Sequence, residues 1–115
     1  MKRTEEQECI ALNDWARYHP ICKHYLVHIP NGGTRHLLEA MKLKRMGVRA
    51  GVSDYLLAYP TSKHKGLWIE MKSKNGKLTE QQANWLKLMK DIGHDTLVAY
   101  SFEEARDYIV NEYLK

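Results

Sequence analysis

Three charged residues have the types and spacing needed for phosphate chemistry. Glu70 and Lys72 stand two positions apart in the apolar run 66–72, and Asp54 lies in a second strand-like run, 51–58. Because side chains alternate along a strand, residues two positions apart project from the same face. Two carboxylates make an oxygen-rich site for Mg²⁺ or Mn²⁺, and a nearby lysine can orient a water and neutralise phosphate charge. If the two runs are neighbouring strands, they predict metal-assisted hydrolysis.

A simple ion pair is the alternative explanation of the same residues. Glu70 and Lys72 would then form a salt bridge on a half-exposed sheet, which requires no function. An aspartate together with a Glu-x-Lys triplet also occurs by chance in many chains of 115 residues. The elements that surround the three residues must therefore decide between the two explanations.

The surrounding elements predict one α/β (α+β) domain. Capping-box patterns begin helices at Thr4 and Thr79, each followed three residues later by a glutamine, and the polar segment 60–65 predicts a hairpin between the two charged strands. In this order a central mixed sheet of about four strands is covered on both faces. The predicted helices cover residues 4–18, 35–46, 79–91 and the segment after Ser101, and the predicted strands cover 24–29, 51–58, 66–72 and 96–100.

Glu5 is a third acidic candidate. It lies one turn before Cys9 and two turns before Leu12 on the apolar stripe of the first helix, which places its carboxylate at the end of the buried face. Most glutamates in a first turn only favour the helix dipole, and that is the alternative. In the helix from Thr79, the apolar pattern predicts four inward-facing residues, Trp85, Leu88, Met89 and Ile92.

Composition and charge set the class of protein. A chain of 115 residues with 43% hydrophobic residues fits a single domain, 1–115. The formal net charge is +4, and the cations cluster in 42–49 and 63–77, which suits a polyanion, although a solvated surface is the commoner use of such clusters. Cys9 and Cys22 form no disulfide framework and no CxxC pair. Without a signal peptide or a spanning apolar run, we expect a cytoplasmic protein with no membrane partner.

Six short motifs occur in an order that covers nearly the whole chain. They are Glu5 in the first helix, Pro30-Asn31-Gly32-Gly33-Thr34-Arg35, Ala40-x-x-Leu43-Lys44-x-x-Gly47, Gly51-Val52-Ser53-Asp54, Gly66-Leu67-Trp68-Ile69-Glu70-Met71-Lys72 and Leu78-Thr79-x-x-Gln82-x-x-Trp85. The ordered set resembles the VRR-NUC domains of the PD-(D/E)xK nuclease superfamily, especially the short stand-alone forms of bacteriophages and prophages. Each motif by itself is unspecific, and the specificity lies in their order.

The resemblance implies a restriction-endonuclease-like core and a metal-dependent endonuclease that acts on DNA. In such domains Asp54 and Glu70 would bind Mg²⁺ or Mn²⁺, and the backbone carbonyl of Met71 would complete the metal shell. Lys72 would assist the attacking water, and Glu5 would add a carboxylate from the first helix.

Two positions depart from the pattern of the superfamily. Ser53 stands where the PD motif usually has proline, a change that alters only the start of the strand. Cys9 stands where many relatives carry a glutamine one turn after the helix glutamate, so Glu6 and Glu8 remain possible substitutes for Glu5. Since Asp54, Glu70 and Lys72 are all present, we expect an active enzyme.

DNA contacts are expected mainly with the phosphate backbone, because no base-reading element is evident. The double glycine after Pro30 can bring amides close to a phosphate, or can simply form a turn. Gln82 is explained as the capping partner of Thr79 and is also an auxiliary active-site candidate. The candidate DNA-binding residues are Asn31, Gly32, Gly33, Arg35, Lys42, Lys44, Lys74 and Lys77.

The stand-alone relatives are similar to Holliday-junction resolvases, which implies a branched DNA substrate. Two symmetrical cuts in a junction need two active sites, so a homodimer is expected for that substrate. The apolar residues of the helix 35–46 or of the last helix would form its interface, or would face the core. A non-catalytic DNA-binding module on a nuclease fold is the second hypothesis, and a small protein-interaction subunit is the third.

Overall fold

A buried strand lies at the centre of the computed structural model, which describes residues 3–30 and 37–115. The four strands are β1 (Leu26–His28), β2 (Tyr55–Leu57), β3 (Leu67–Met71) and β4 (Asp95–Ala99), and they form one sheet in the order β1-β2-β3-β4. β1 and β2 pair antiparallel, β2 and β3 pair antiparallel, and β3 and β4 pair parallel. The predicted mixed sheet of four strands and the hairpin between the two charged segments are confirmed.

Three of the helices begin at a residue whose side chain caps the first turn. Thr4 and Thr79 both form complete capping boxes with the glutamine three residues later, and the Ser101 side chain accepts a hydrogen bond from the amide of Glu104. The helices are α1 (Glu5–Ala16), α2 (Cys22–Tyr25), α3 (Leu37–Arg45), α4 (Glu80–Asp91) and α5 (Phe102–Tyr108), which continues into a π-helical turn, Ile109–Tyr113.

Helices cover both faces of the sheet, as predicted. Ile69 on one face of β3 joins the main apolar core with Leu12 of α1 and Ala105 of α5. Trp68 on the opposite face packs edge to face against Trp85 of α4, with ring centroids 5.2 Å apart. The sheet is thus enclosed between an α1/α5 layer and an α4 layer, an arrangement that suits a strand buried at every position.

Two sequence predictions about the local packing are wrong. The first strand is shorter than 24–29 because the preceding residues form α2. In α4, Leu88 and Ile92 are about half exposed, whereas Leu86 is buried. At 100° per residue, Leu88 lies about 200° around the helix from Leu86, so both cannot face the sheet.

The remaining predicted segments differ only at their ends. Apolar residues of the last helix, Ala105, Ile109 and Tyr113, are buried in the core. α3 contains no buried residue in its described span. Within residues 3–30 and 37–115, no helix combines the length and the apolar character required to cross a bilayer.

Candidate active site

Asp54 immediately precedes β2 and connects it to both neighbouring strands. Its carbonyl oxygen accepts a hydrogen bond from the amide of Ile29 at 2.7 Å, and its Oδ2 accepts one from the amide of Met71 at 2.7 Å. Since Tyr55 pairs with Ile69 in the antiparallel register, Asp54 falls opposite Glu70. Two segments far apart in sequence therefore bring their carboxylates to one end of the hairpin.

Glu70 and Lys72 share the face of β3 that α4 covers. Glu70 is 2% exposed and Lys72 is 8% exposed, and the lysine Nζ lies 3.9 Å from Glu70 Oε2. The Nε2 of Gln82 on α4 donates to the same oxygen at 3.4 Å. The other oxygen, Oε1, is buried and has no hydrogen-bond partner among the residues described. Burial of an unpartnered carboxylate oxygen is costly, so the ion pair with Lys72 by itself leaves part of this carboxylate uncompensated.

The electrostatics of Glu70 follow from this burial. Loss of hydration, the nearby charge of Asp54 and a side-chain hydrogen bond with Asp54 together raise the pKa of Glu70 to about 8, against the opposing effect of Lys72. Glu5 also contributes a smaller upward effect on this pKa. A buried carboxylate whose pKa is raised by neighbouring carboxylates favours binding of a proton or a cation.

The first helix is held against this cluster by a hydrogen bond from a buried tyrosine. The hydroxyl of Tyr55 donates to the carbonyl of Cys9 at 3.1 Å. Burial, followed by the charge of Asp54, raises the pKa of the Cys9 thiol to about 11, so this thiol stays protonated at neutral pH. Glu5 lies one turn before Cys9 and is partly buried, which is consistent with its electrostatic effect on Glu70.

The three glutamates of α1 have different environments. Glu8 is buried, and its Oε1 accepts from the amide of Phe102 at 2.8 Å and lies 3.2 Å from Arg3 Nε. It therefore caps the start of α5. Glu6 is exposed, and only Glu5 acts on the charged cluster. The structural role of Glu8 was not predicted from the sequence, although its i, i+4 spacing from the buried Leu12 was a usable signal.

The donor set suits a hard cation in two respects. Asp54 and Glu70 supply carboxylate oxygens, and the backbone carbonyl of Met71 lies between Glu70 and Lys72 in the chain. The unpartnered Oε1 of Glu70 is an oxygen that such a cation would satisfy. In the described part of the chain, no three His, Cys, Asp or Glu side chains are gathered into a metal-holding group. Mg²⁺ is commonly held by one or two carboxylates and retained waters, so two carboxylates suffice.

The predicted DNA-binding residues fall into three groups. Asn31, Gly32, Gly33 and Arg35 lie outside the described residues. Lys42 and Lys44 are exposed near the end of α3, and Lys74 and Lys77 are exposed between β3 and α4. Lys74 follows Lys72 by two residues, so this pair of cations begins at the same end of β3 as the carboxylates.

Comparison with known proteins agrees with this fold. None of the curated proteins matches the sequence significantly. A solved structure described as a VRR_NUC domain protein superposes with a TM-score of 0.81 at 25% identity, over 96% of this chain and 88% of that chain. The sequence profile of the VRR-NUC domain matches residues 1–103, which include every residue of the charged cluster. This chain therefore belongs to the VRR-NUC domain family, a family of nuclease-type domains that act on DNA.

Proposed function

We propose that this protein is a metal-dependent, structure-selective DNA endonuclease that hydrolyses phosphodiester bonds. Glu70 is the observation that carries the proposal. It is a buried carboxyl group that faces Asp54 and the Lys72 ammonium, and its Oε1 has no partner among the described residues once both carboxyl groups are ionised. Such a group reduces stability unless a bound ion or substrate satisfies it, which is typical of functional sites.

The residues have separate roles in the proposed reaction. Asp54 and Glu70, with the carbonyl of Met71, would hold Mg²⁺ or Mn²⁺, and Glu5 would add negative charge from α1. The chemistry supplied by such an ion when bound is neutralisation of phosphate charge and a lower pKa for the attacking water. Lys72 orients that water and stabilises the charge that grows on the phosphate oxygens.

Gln82 is the proposed positioning residue for Glu70. Its Oε1 accepts a hydrogen bond from the amide of Thr79 at 2.9 Å, while its Nε2 contacts Glu70 Oε2 at 3.4 Å. The side chain that caps α4 therefore also restrains one oxygen of Glu70 and leaves the other oxygen available. This gives Gln82 the auxiliary role that its position in the sequence suggested.

Branched DNA, in particular a four-way junction, is the proposed substrate, and a homodimer is the proposed assembly. One chain carries one Asp54–Glu70–Lys72 cluster, and paired cuts need two. The apolar residues of α3 are exposed, which supports an interface there. In the last helix, by contrast, the apolar residues Ala105, Ile109 and Tyr113 are buried in the core. The proposed location is the cytoplasm of a bacterium, or of the host cell if the chain is phage-encoded. The exposed α3 residues are Leu37, Leu38 and Met41.

A cleavage assay tests this function. Labelled four-way junction and linear duplex of matched sequence are incubated with Mg²⁺, Mn²⁺ or EDTA and with wild type, Asp54→Asn, Lys72→Ala or Lys87→Ala. We expect paired, metal-dependent nicks in the junction and a loss of at least about 100-fold in the first two variants. Lys87 is exposed on α4 and pairs with Asp91, so its variant is the control and should cleave normally.

Two further measurements separate the parts of the proposal. Mg²⁺ or Mn²⁺ should raise the melting temperature of wild type but not of Glu70→Gln, because an ion that binds the folded site stabilises it. Light scattering in the presence of junction DNA should give a dimer. Tight junction binding without cleavage under any ion would instead identify a non-catalytic DNA-binding module.

A further inference from the structure

Apart from the charged cluster, the structure contains a mainly apolar cleft between α3, α4 and the segment that leads into β2. Its volume is about 410 Å³, which is within the usual range of small-ligand pockets. Residues at the mouth, such as Val48 and Arg49, are exposed, and those deeper in the cleft are partly buried. The lining includes Ile29, Leu43, Val48, Arg49, Val52 and Trp85.

Three lining residues connect this cleft directly to the charged cluster. The amide of Ile29 donates to the carbonyl of Asp54 at 2.7 Å, and Val52 precedes Asp54 by two residues. Trp85 follows Gln82 by three residues on α4, and the Gln82 amide contacts Glu70. Three residues of helix advance about 4.5 Å along the axis, so Trp85 lies about one turn along α4 from the side chain that contacts Glu70.

The chemistry of the cleft suits a nucleotide. The guanidinium carbon of Arg49 lies 5.7 Å from the centroid of the Trp85 ring, so a planar cation is stacked on an aromatic side chain at the mouth. Unstacked bases bind to aromatic rings and to arginine planes. Exposed cations at the end of α3, Lys42, Lys44 and Arg45, provide charge complementary to the phosphates on either side of such a base.

We infer that this cleft receives an unpaired nucleotide of the DNA substrate, next to the phosphate that is cut, with its base stacked on the Arg49–Trp85 pair. This inference rests on the proposed endonuclease function and extends it to the origin of structure selectivity. A base in intact duplex must first be unstacked and unpaired to enter, which disfavours duplex DNA. A nucleotide that is already unpaired beside a branch point is free of that cost, so branched DNA that carries such a nucleotide is preferred without any reading of sequence.

The test measures DNA binding in EDTA, so that it does not depend on cleavage. Two branched DNAs of the same sequence are compared by fluorescence anisotropy, one with an unpaired base beside the branch point and one with an abasic residue at that position. We expect wild type to bind the base-containing DNA roughly tenfold more tightly. Arg49→Gln should lose this preference because the planar cation is removed.

Arg106→Gln is the matched control. Arg106 stacks on Phe102 at 5.1 Å on the opposite side of the sheet, so its variant removes the same type of contact away from the cleft. It should retain the full preference for the base. Val48→Trp, which fills the mouth from an exposed position, provides a second variant and should also abolish the preference.

The outcomes distinguish this inference from the proposed function. Equal binding of the two DNAs by wild type, or equal loss in Arg49→Gln and Arg106→Gln, overturns the inference even if metal-dependent cleavage is present. Base-dependent binding that Arg49→Gln abolishes supports it even if no ion produces cleavage. Conversion of a dimer to a monomer by Val48→Trp, with the base preference intact, would show that the cleft joins two copies of the chain and would overturn the inference.

Discussion

The two faces of β3 are equally buried but have opposite effects on stability. On the α1/α5 side, Ile69 and Met71 are fully buried within a continuous apolar core. On the α4 side, Glu70 and Lys72 are nearly as buried, yet they bring charge out of water. The first face stabilises the fold by excluding apolar surface from water. The second reduces stability, and in the proposed function it does so at the residues that would bind the ion, a trade-off common in enzymes.

Three of the five buried side-chain polar atoms without a hydrogen-bond partner in the described part of the chain lie on the α4 side. In the part of the chain that the structure describes, the buried side-chain atoms without hydrogen-bond partners include Oε1 of Glu70 and the indole nitrogens of Trp68 and Trp85. These three side chains lie between the sheet and α4 or within α4 itself. Each such atom reduces the net gain from folding. This comparison of the two faces predicts that substitutions on them will change the free energy of unfolding with different sign and different pH dependence.

The largest effect on stability is expected on the apolar side. Ile109→Ala should lower the free energy of unfolding by about 2–5 kcal/mol, because Ile109 is fully buried and its truncation leaves a cavity. Urea denaturation measures this change. Val110→Ala, at an adjacent position that is 44% exposed, should change stability by less than about 0.5 kcal/mol. A similar loss in both variants would contradict the separation into a core face and a solvent face.

On the α4 side, we expect substitution of Glu70 to change the free energy of unfolding by an intermediate amount and to raise it, whereas truncation in the apolar core lowers it. Because the folded-state pKa of Glu70 is raised to about 8 from 4.5, the folded state retains a proton that the unfolded state has lost. In EDTA, wild type should therefore become less stable as the pH rises from about 5 to 8, with a slope of up to about 1.4 kcal/mol per pH unit.

Glu70→Gln removes that titration. Its free energy of unfolding should vary less with pH, and it should exceed the wild-type value at pH 8 by on the order of 1–3 kcal/mol. Glu112→Gln, at an exposed position in the last turn, is the control and should keep the wild-type slope. A wild-type stability that rises between pH 5 and 8 relative to Glu70→Gln would reject the assignment of a buried, protonated Glu70.

The smallest expected change in stability distinguishes the role of Glu8 from that of Glu5 on α1. Glu8→Gln should cost roughly 0.5–1 kcal/mol, because the amide oxygen still accepts from Phe102 but the ion pair with Arg3 is lost. Its cleavage should be unchanged. Glu5→Gln should do the reverse, with weaker cleavage and an unchanged melting temperature. Interchanged results would assign Glu8 to the active site.

Much of the framework could be predicted because it depends on local patterns. Both capping boxes formed as expected, since Thr4 and Thr79 satisfy amides within their own first turns. The inward face of α4 could not be predicted, because its apolar residues occupy two sides of the helix. Gln82 and Leu86 face the sheet together, and contact with Glu70 and the sheet selects that side.

The sequence by itself determined that Glu70 and Lys72 share a face and that a hairpin carries Asp54 toward them, because strand alternation and turn positions are properties of neighbouring residues. Only the tertiary structure decided which glutamate of α1 approaches the site, which oxygen of Glu70 is left without a described partner, and that Trp85 and Arg49 line a cleft beside it. Those features arise from contacts between segments far apart in the chain. Their burial and electrostatics exist only when the layers pack together.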